Sequence, residues 1–91
     1  MPVVRIPTVL RPQAGGQARV EVDGATVAEA LTALVAENPA LEERLLEDGK
    51  VRGYVNVFVD DEDIRYLDGE ATAVAASTEI TIMPAVAGGA R

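Results

Sequence analysis

The chain has 91 residues, 48% of them hydrophobic, and a formal charge of −7 at pH 7. This length predicts a single domain, and the hydrophobic side chains are mostly Val, Ala, Leu and Ile, so we expect an aliphatic core. The negative charge repels nucleic acid unless a basic patch overcomes it, yet the eight Lys and Arg residues are scattered along the sequence. We therefore expect no nucleic-acid partner, and a partner with a basic surface fits better.

The sequence contains no Cys and no His. Disulfides, thiolate nucleophiles, imidazole bases and the common zinc sites are therefore excluded, and we expect no cofactor and no metal site. The sequence shows no signal peptide and no run of about 20 apolar residues that could span a bilayer. These features predict a cytoplasmic protein without a membrane partner.

Two strands are predicted at the start of the chain. Residues 3–10 alternate apolar and polar side chains, with Pro7 marking an edge or a bulge. After a turn at Gly15-Gly16, residues 18–22 alternate again. We expect these two strands to pair as a hairpin across a long loop.

A helix is predicted to begin at the capping box Thr26-x-x-Glu29, in which each side chain satisfies a backbone N–H group, and to stop at Asn38-Pro39. Apolar residues at helical spacing give it one stripe for the sheet: Val27, Ala30, Leu31, Leu34 and Val35. A second, short helix should start at Pro39 and end at Gly49. Its inward side chains are predicted to be Leu41, Leu45 and Leu46.

The clearest strand covers residues 54–60, in which three valines face one side and Asn56 and Phe58 face the other. We expect this strand to lie inside the sheet. The carboxylates of residues 60–63 follow it, but a calcium loop needs ligands spread over about twelve residues and a Gly at the bend. This run is therefore interpreted as a solvated hairpin tip or a contact for a basic partner, followed by a short return strand that begins at Ile64.

The last predicted strand alternates Ile80 and Ile82 with polar neighbours and ends at Pro84. Small residues follow, so we expect a domain over residues 1–84 and a flexible tail over residues 85–91. The pair Gly88-Gly89 in this tail fits a frayed end, or an arm that enters a narrow channel in a partner where any Cβ would clash.

This element order predicts an α+β fold: a hairpin, one main helix, then further strands that bring the last strand beside the first. It is the order of the β-grasp, or ubiquitin-like, roll, with a mixed sheet of four to five strands and the main helix packed across it. In three segments, residues 6–12, 55–63 and 81–89, the sequence resembles the ThiS/MoaD family of sulfur carrier proteins, and within it the CysO-type carriers of bacterial cysteine biosynthesis. A strand, a proline and a tail that ends in Gly-Gly form the family's functional signature.

The resemblance implies a carrier with no catalytic residues of its own. A ubiquitin-activating-like adenylating enzyme of the MoeB/ThiF type is expected to adenylate Gly89, and sulfur then displaces AMP to give a thiocarboxylate. Val86, Ala87 and Gly88 would accompany Gly89 into partner enzymes. One such partner would be a sulfur-accepting synthase, either cysteine synthase-like or another sulfur-inserting enzyme.

One departure from the family pattern concerns the residues after Gly89. The family usually ends on the second Gly, whereas Ala90 and Arg91 follow it here. We expect a JAMM-type metalloprotease to remove these two residues before activation. The alternative is that this protein never enters the chemistry of the family.

Two alternatives to the carrier stay open: a ubiquitin-like protein modifier or interaction module, and the small subunit of a molybdopterin-synthase-like complex. An enzyme that uses the carboxylates of residues 60–63 as acid and base is disfavoured, because no nucleophile or metal partner accompanies them. Phe58 and Met83 point away from the predicted core, so we expect them to form an exposed apolar patch for partner binding.

Overall fold

The computed structural model describes residues 1–84, so the predicted tail over residues 85–91 lies outside the described residues. The strands are β1 (Val3–Arg5), β2 (Arg19–Glu21), β3 (Leu46–Glu47), β4 (Lys50–Val51), β5 (Val55–Val59), β6 (Glu62–Asp63) and β7 (Glu79–Pro84). The α-helices are α1 (Val27–Glu37) and α2 (Glu42–Leu45), and short 3₁₀ helices cover Thr8–Ala14, Pro39–Leu41, Ile64–Tyr66 and Gly69–Ala71.

Five strands form one mixed sheet in the order β2-β1-β7-β5-β6. The last strand, β7, lies at the centre, parallel to β1 and antiparallel to β5. This arrangement confirms the β-grasp prediction: the first and last strands are neighbours, and β5 lies inside the sheet. The strand β7 reaches Pro84, which pairs with Val55 and is the last described residue.

The main helix α1 begins where the capping box predicts. The Glu29 N–H donates to Thr26 Oγ1 at 3.2 Å, and the Glu29 carboxylate accepts from the N–H of Ala25 at 2.9 Å. The helix ends before Asn38, whose backbone N–H donates to the Leu34 carbonyl at 3.0 Å. Because Pro39 cannot donate to the helix, the chain turns there, and both predicted boundaries are confirmed.

The core lies between α1 and one face of the sheet, and it is aliphatic as predicted. The alternating strand residues that face α1 are buried: Val4, Val20, Val55, Val57, Ile80 and Ile82. The helix contributes Val27, Ala30, Leu31 and Leu34 to the same cluster, and Leu41 and Leu45 close one end of it. The burial of these side chains holds β7, the strand that leads to the tail, firmly in place.

The first strand is shorter than predicted. It stops at Arg5, and the chain then forms the 3₁₀ helix Thr8–Ala14, so the prediction of a strand over residues 3–10 is wrong in its second half. Pro7 is the reason, because it cannot donate a ladder hydrogen bond, while its carbonyl accepts from the Leu10 N–H at 2.9 Å and starts the turn. The predicted hairpin of β1 and β2 is confirmed, with Val4 opposite Val20.

Gly49 does not end the second helix. That helix ends at Leu45, and Leu46 begins a small hairpin of β3 and β4 in which Asp48 and Gly49 form the turn, with φ angles of 54° and 79°. These positive φ values suit the Asp-Gly pair, which is typical of two-residue hairpin turns. The sequence interpretation missed this hairpin because each of its strands is only two residues long.

The return strand after β5 begins earlier than predicted. It is β6, at Glu62–Asp63, and Ile64 starts a 3₁₀ helix instead. The Asp63 carboxylate accepts from the Arg65 N–H at 2.8 Å and so caps this helix, which turns the chain away from the sheet. The prediction that the acidic run forms a hairpin tip is confirmed, because Asp60 and Asp61 occupy the turn between β5 and β6.

Candidate functional site

The face of the sheet that α1 does not cover is called the open face here. Since side chains alternate along a strand, the neighbours of the buried residues point to it: Val3, Arg5, Arg19, Glu21, Asn56, Phe58, Asp63, Glu79, Thr81 and Met83. Apolar and charged groups therefore share this face, and β7 runs through its middle.

Phe58 and Met83 both lie on the open face, on the neighbouring strands β5 and β7. Phe58 is opposite Thr81 and therefore diagonal to Met83, and the two side chains line one groove of about 220 Å³. Met83 is 52% exposed, whereas Phe58 is half-buried. The structure therefore brings the two predicted patch residues together and leaves them accessible.

Glu79 organises the charges on one half of the open face. Its carboxylate lies 3.1 Å from Arg19 Nη2 and 3.8 Å from Arg5 Nη1. These three side chains come from adjacent strands, so the pairing follows directly from the order β2-β1-β7. Both pairs are partly exposed, and such pairs orient side chains more than they stabilise the fold.

Arg65 and Asp63 form the second charged group, at the β6 edge. Arg65 Nη2 lies 2.8 Å from Asp63 Oδ2 and also donates to Asn56 Oδ1 on β5. The hydrogen bonds from the Arg65 side chain and backbone hold the pKa of Asp63 below its usual value, and the same carboxylate raises the pKa of Arg65. This pair fixes the outer edge of the open face beside Phe58.

A second groove, of about 410 Å³, lies where β7 approaches Pro84. It is called the rim groove here, and its walls include Arg5, Ile6, Pro7, Arg11, Thr81 and Met83. Arg11 Nε donates to the Ile6 carbonyl at 3.1 Å, which fixes the guanidinium against the wall. Among residues 1–84 Arg11 forms no ion pair, unlike Arg5.

The acidic run shows no sign of a metal site. Within residues 1–84 no group of three or more carboxylates is arranged to hold a cation. Asp60 Oδ1 instead accepts from the Glu79 N–H at 3.0 Å, which ties the hairpin tip to β7. Within the same residues, no helix combines the length and the apolar character needed to cross a membrane.

The residues predicted to take part in activation and processing all belong to the tail, which lies outside the described residues: Val86, Ala87, Gly88, Gly89, Ala90 and Arg91. The structure does show the strand that leads to them. The sequence interpretation missed Arg5 and Arg11 as neighbours of this exit point. The alternation of β1 could have revealed Arg5, but Arg11 depends on the 3₁₀ helix that replaces the predicted strand.

The chain belongs to the ThiS family, whose model matches residues 4–89. Among its relatives is the sulfur carrier protein CysO of Mycobacterium tuberculosis, which is 45% identical over 89 residues, covering 94% of this chain and 96% of the relative. The small archaeal modifier protein 3 of Haloferax volcanii is 43% identical over 67 residues, covering 74% and 73% of the two chains.

Solved structures give the same result for the fold. A chain in the crystal structure of the BexX/CysO complex of Amycolatopsis orientalis superposes with a TM-score of 0.89 at 38% identity, over 96% of this chain and 98% of that one. The β-grasp fold is therefore shared with proteins of clearly related sequence. The family match includes Gly88 and Gly89 and stops before Ala90.

Proposed function

We propose that the chain is a sulfur carrier that holds sulfur as a thiocarboxylate on Gly89. The observation that carries this proposal is the extent of the family match, which runs from Val4 to Gly89 and so includes the Gly-Gly pair. The relative at 45% identity is named a sulfur carrier protein. The chain would act as a protein cosubstrate, and its partners would supply the catalytic groups.

Activation begins with the Gly89 carboxylate, which is a poor acyl donor. A ubiquitin-activating-like enzyme of the MoeB/ThiF type would bind it with ATP, and a carboxylate oxygen would attack the α-phosphorus while pyrophosphate leaves. Inorganic sulfide, or sulfur delivered at that oxidation level, would then attack the acyl carbon. The C–S bond forms, the C–O bond to AMP breaks, and the product is a thiocarboxylate.

Glycine suits the reacting end for a steric reason. Without a Cβ, the acyl carbon is open to attack, and the backbone can enter a channel that would exclude any larger residue. The chain has no Cys, so the activated end cannot be captured by an internal thiol as a thioester. The buried strand β7 would hold the base of the tail while Val86, Ala87 and Gly88 occupy the channel.

The thiocarboxylate would then act as a nucleophile in a sulfur-accepting synthase. By similarity to the CysO proteins, we propose a cysteine synthase-like enzyme or another sulfur-inserting enzyme as this partner. The Amycolatopsis relative is seen in a complex with BexX, which supports a role that depends on partner binding. Because the proposed cycle consumes ATP, we propose that it takes place in the cytoplasm.

Ala90 and Arg91 follow Gly89, so the Gly89 carboxyl group is not free to be adenylated in the full chain. In the activating enzyme they would place a Cβ and a long cationic side chain at or beyond the nucleotide site. We propose that a JAMM-type metalloprotease cuts the Gly89–Ala90 bond and frees the reactive carboxylate. The folded residues 1–84 form their core without these residues, so the cut is expected to leave stability unchanged.

The test compares two chains, one that ends at Gly89 and one that continues through Ala90 and Arg91. Each is incubated with the activating enzyme, ATP and sulfide, and intact-protein mass is measured. We expect one oxygen to be replaced by one sulfur in the trimmed chain and no change in the longer one. Thiocarboxylate formation on the longer chain, or on a trimmed Gly89→Ala variant at the parental rate, would contradict the proposal.

We further propose that the patch of Phe58 and Met83 docks the activating enzyme. The carboxylate of a Phe58→Asp or Met83→Asp variant would be desolvated at the interface, so we expect slower activation of either variant at unchanged folding. Tyr66→Asp is the matched control, since Tyr66 is 82% exposed and lies outside this patch. An activation rate that stays at the parental value in both variants would exclude this docking surface.

One observation favours a second function. The small archaeal modifier protein 3 at 43% identity is named a modifier, which supports transfer of Gly89 to an amine of another protein. A small subunit of a molybdopterin-synthase-like complex is a variant of the carrier proposal. The same mass experiment separates carrier from modifier once acceptor proteins are added to it. A carrier gains sulfur, whereas a modifier forms a covalent adduct with a second protein.

A further inference from the structure

The rim groove combines two kinds of surface beside the exit of β7. Two guanidinium groups, from Arg5 and Arg11, lie close to the half-exposed thioether of Met83 and the apolar Ile6. The chain has a formal charge of −7, so two neighbouring positive side chains at this position differ in sign from the molecule as a whole. The groove therefore offers an anion site next to an apolar contact.

Arg11 is positioned to receive that anion. Its Nε is already bound to the Ile6 carbonyl, so part of the side-chain entropy is lost before any partner arrives. Within the described part of the chain it forms no ion pair, and Arg5 has only the longer, 3.8 Å contact to Glu79. The planar fork of a guanidinium matches the geometry of a carboxylate, which it can bind through two parallel hydrogen bonds.

Four occupants of the groove can be compared by the free-energy cost of placing each one there. The terminal carboxylate of the chain's own tail could bind in the groove. However, the entropic cost of ordering one residue is about as large as the free energy of one charged hydrogen bond, and several residues would have to be ordered. A second copy carries the same net charge of −7, so the two copies would repel each other. Nucleic-acid phosphates are repelled by the same charge. A single carboxylate on an otherwise basic partner enzyme avoids both the ordering of a tail and the repulsion between two acidic molecules.

We propose that the rim groove binds an Asp or Glu side chain, flanked by apolar residues, at the mouth of the enzyme channel that admits the tail. The contact would set the register of the tail in the channel, because Arg11 lines the same groove as Met83, which lies next to the end of β7. This inference rests on the proposed function, and it adds a specific contact to the apolar patch of Phe58 and Met83.

The test uses the chain trimmed at Gly89 and the adenylating enzyme, with ATP–pyrophosphate exchange as the readout. We expect Arg11→Gln to raise the KM for the carrier about tenfold and to leave kcat unchanged, because binding is lost while the reacting end is intact. Arg11→Lys keeps the charge without the fork and should give a smaller increase. Arg44→Gln, on the exposed side of α2, is the matched control and should leave the KM at the parental value.

Several results would overturn the inference. An unchanged KM for Arg11→Gln, or an equal increase for Arg44→Gln, would show that the rim groove makes no specific contact. A lower kcat at constant KM would place Arg11 at the reacting end instead. A parental dimer that Arg11→Gln dissociates in sedimentation would assign the groove to a second copy.

Folding and function are controlled separately in this experiment. Urea midpoints of all variants are measured, and Arg11→Lys keeps the proposal testable if Arg11→Gln unfolds. Absence of exchange with every chain, the parent included, would reject the proposed function and this inference with it. Normal exchange with an unchanged KM would reject the rim-groove contact alone.

Discussion

Gly24 occupies a position where the backbone of α1 comes close. A Cβ built on Gly24 would lie 2.7 Å from the Ala30 nitrogen and 3.0 Å from the Glu29 carbonyl carbon, and these are backbone atoms that cannot rotate away. We expect Gly24→Ala to destabilise the fold by about 1–3 kcal/mol through overpacking. Denaturant unfolding measures the loss, and Gly53→Ala, which has nothing within 4 Å of its built Cβ, is expected to change little.

Asp63 is a single residue that makes the stability of the fold depend on pH. The side-chain and backbone hydrogen bonds of Arg65 lower the pKa of Asp63 in the folded state. The Asp63 carboxylate therefore stabilises the fold at pH values above 3.8, its pKa in the unfolded chain, and this stabilisation is lost as the pH falls through the folded-state pKa. Asp63→Asn keeps the acceptor for the Arg65 N–H but removes the charge. We expect the variant to be less stable than the parent at pH 7.

The same difference should shrink at acidic pH, as the pH falls through the folded-state pKa of Asp63 and the parental carboxyl becomes protonated too. Urea midpoints at the two pH values measure it, and Asp61→Asn at the exposed hairpin tip controls for the loss of one carboxylate. A destabilisation of Asp63→Asn that is equal at both pH values would contradict the assignment of the effect to charge.

At the scale of one element, the cap of α1 can be tested alone. Thr26→Ala removes the acceptor of the Glu29 N–H, so we expect a loss of about 1 kcal/mol in the free energy of unfolding. Thr32→Ala is the matched control, because Thr32 is exposed within the same helix and caps nothing. If both variants lost the same stability, the capping interaction would not be the cause.

The boundaries of the short elements depend on tertiary contacts as well as on the local sequence pattern. The 3₁₀ helix Thr8–Ala14 replaces half of a predicted strand, yet it buries Leu10 and Ala14 and carries Arg11 to the rim groove. The hairpin of β3 and β4 is held by the Glu70 carboxylate, which accepts from the Val51 N–H at 3.1 Å across 19 residues of sequence. Contacts of this range leave no periodic signal in the local sequence.

For the whole molecule, charge is distributed unevenly. On the open face and its rim, Arg5, Arg11, Arg19 and Arg65 lie beside the carboxylates of Glu21, Asp63 and Glu79. The helices α1 and α2 carry four exposed carboxylates, Glu29, Glu37, Glu42 and Glu43, and one exposed cation, Arg44. The overall negative field would attract a basic partner over a long range, and the rim groove would bind a single carboxylate at contact. The two effects act at different distances and are compatible.

We therefore expect association with the activating enzyme to slow by roughly tenfold or more as salt rises, since screening removes the long-range attraction. Stopped-flow association rates over a salt series measure this dependence. Glu42→Gln should flatten the dependence slightly, because it removes one exposed negative charge from the molecule. A rate that does not change with salt would count against electrostatic steering.

The sequence by itself determined the helix α1, the inner strands and the β-grasp order, because these elements have strong periodicity and clear caps. It also identified the Gly-Gly pair, since Pro84 and the small residues after it form a local pattern. The placement of Phe58 and Met83 on one face followed from the alternation of β5 and β7.

Only the tertiary structure decided what meets across strands and loops. It paired Glu79 with Arg5 and Arg19, and it brought Arg11 and Met83 into the same groove. These contacts join residues that are far apart in sequence, and the turn at Pro7 that creates the rim groove overrides the alternating pattern around it. The physical reason is that short elements are stabilised by packing against the core, and this packing involves residues distant in sequence that no local pattern reveals.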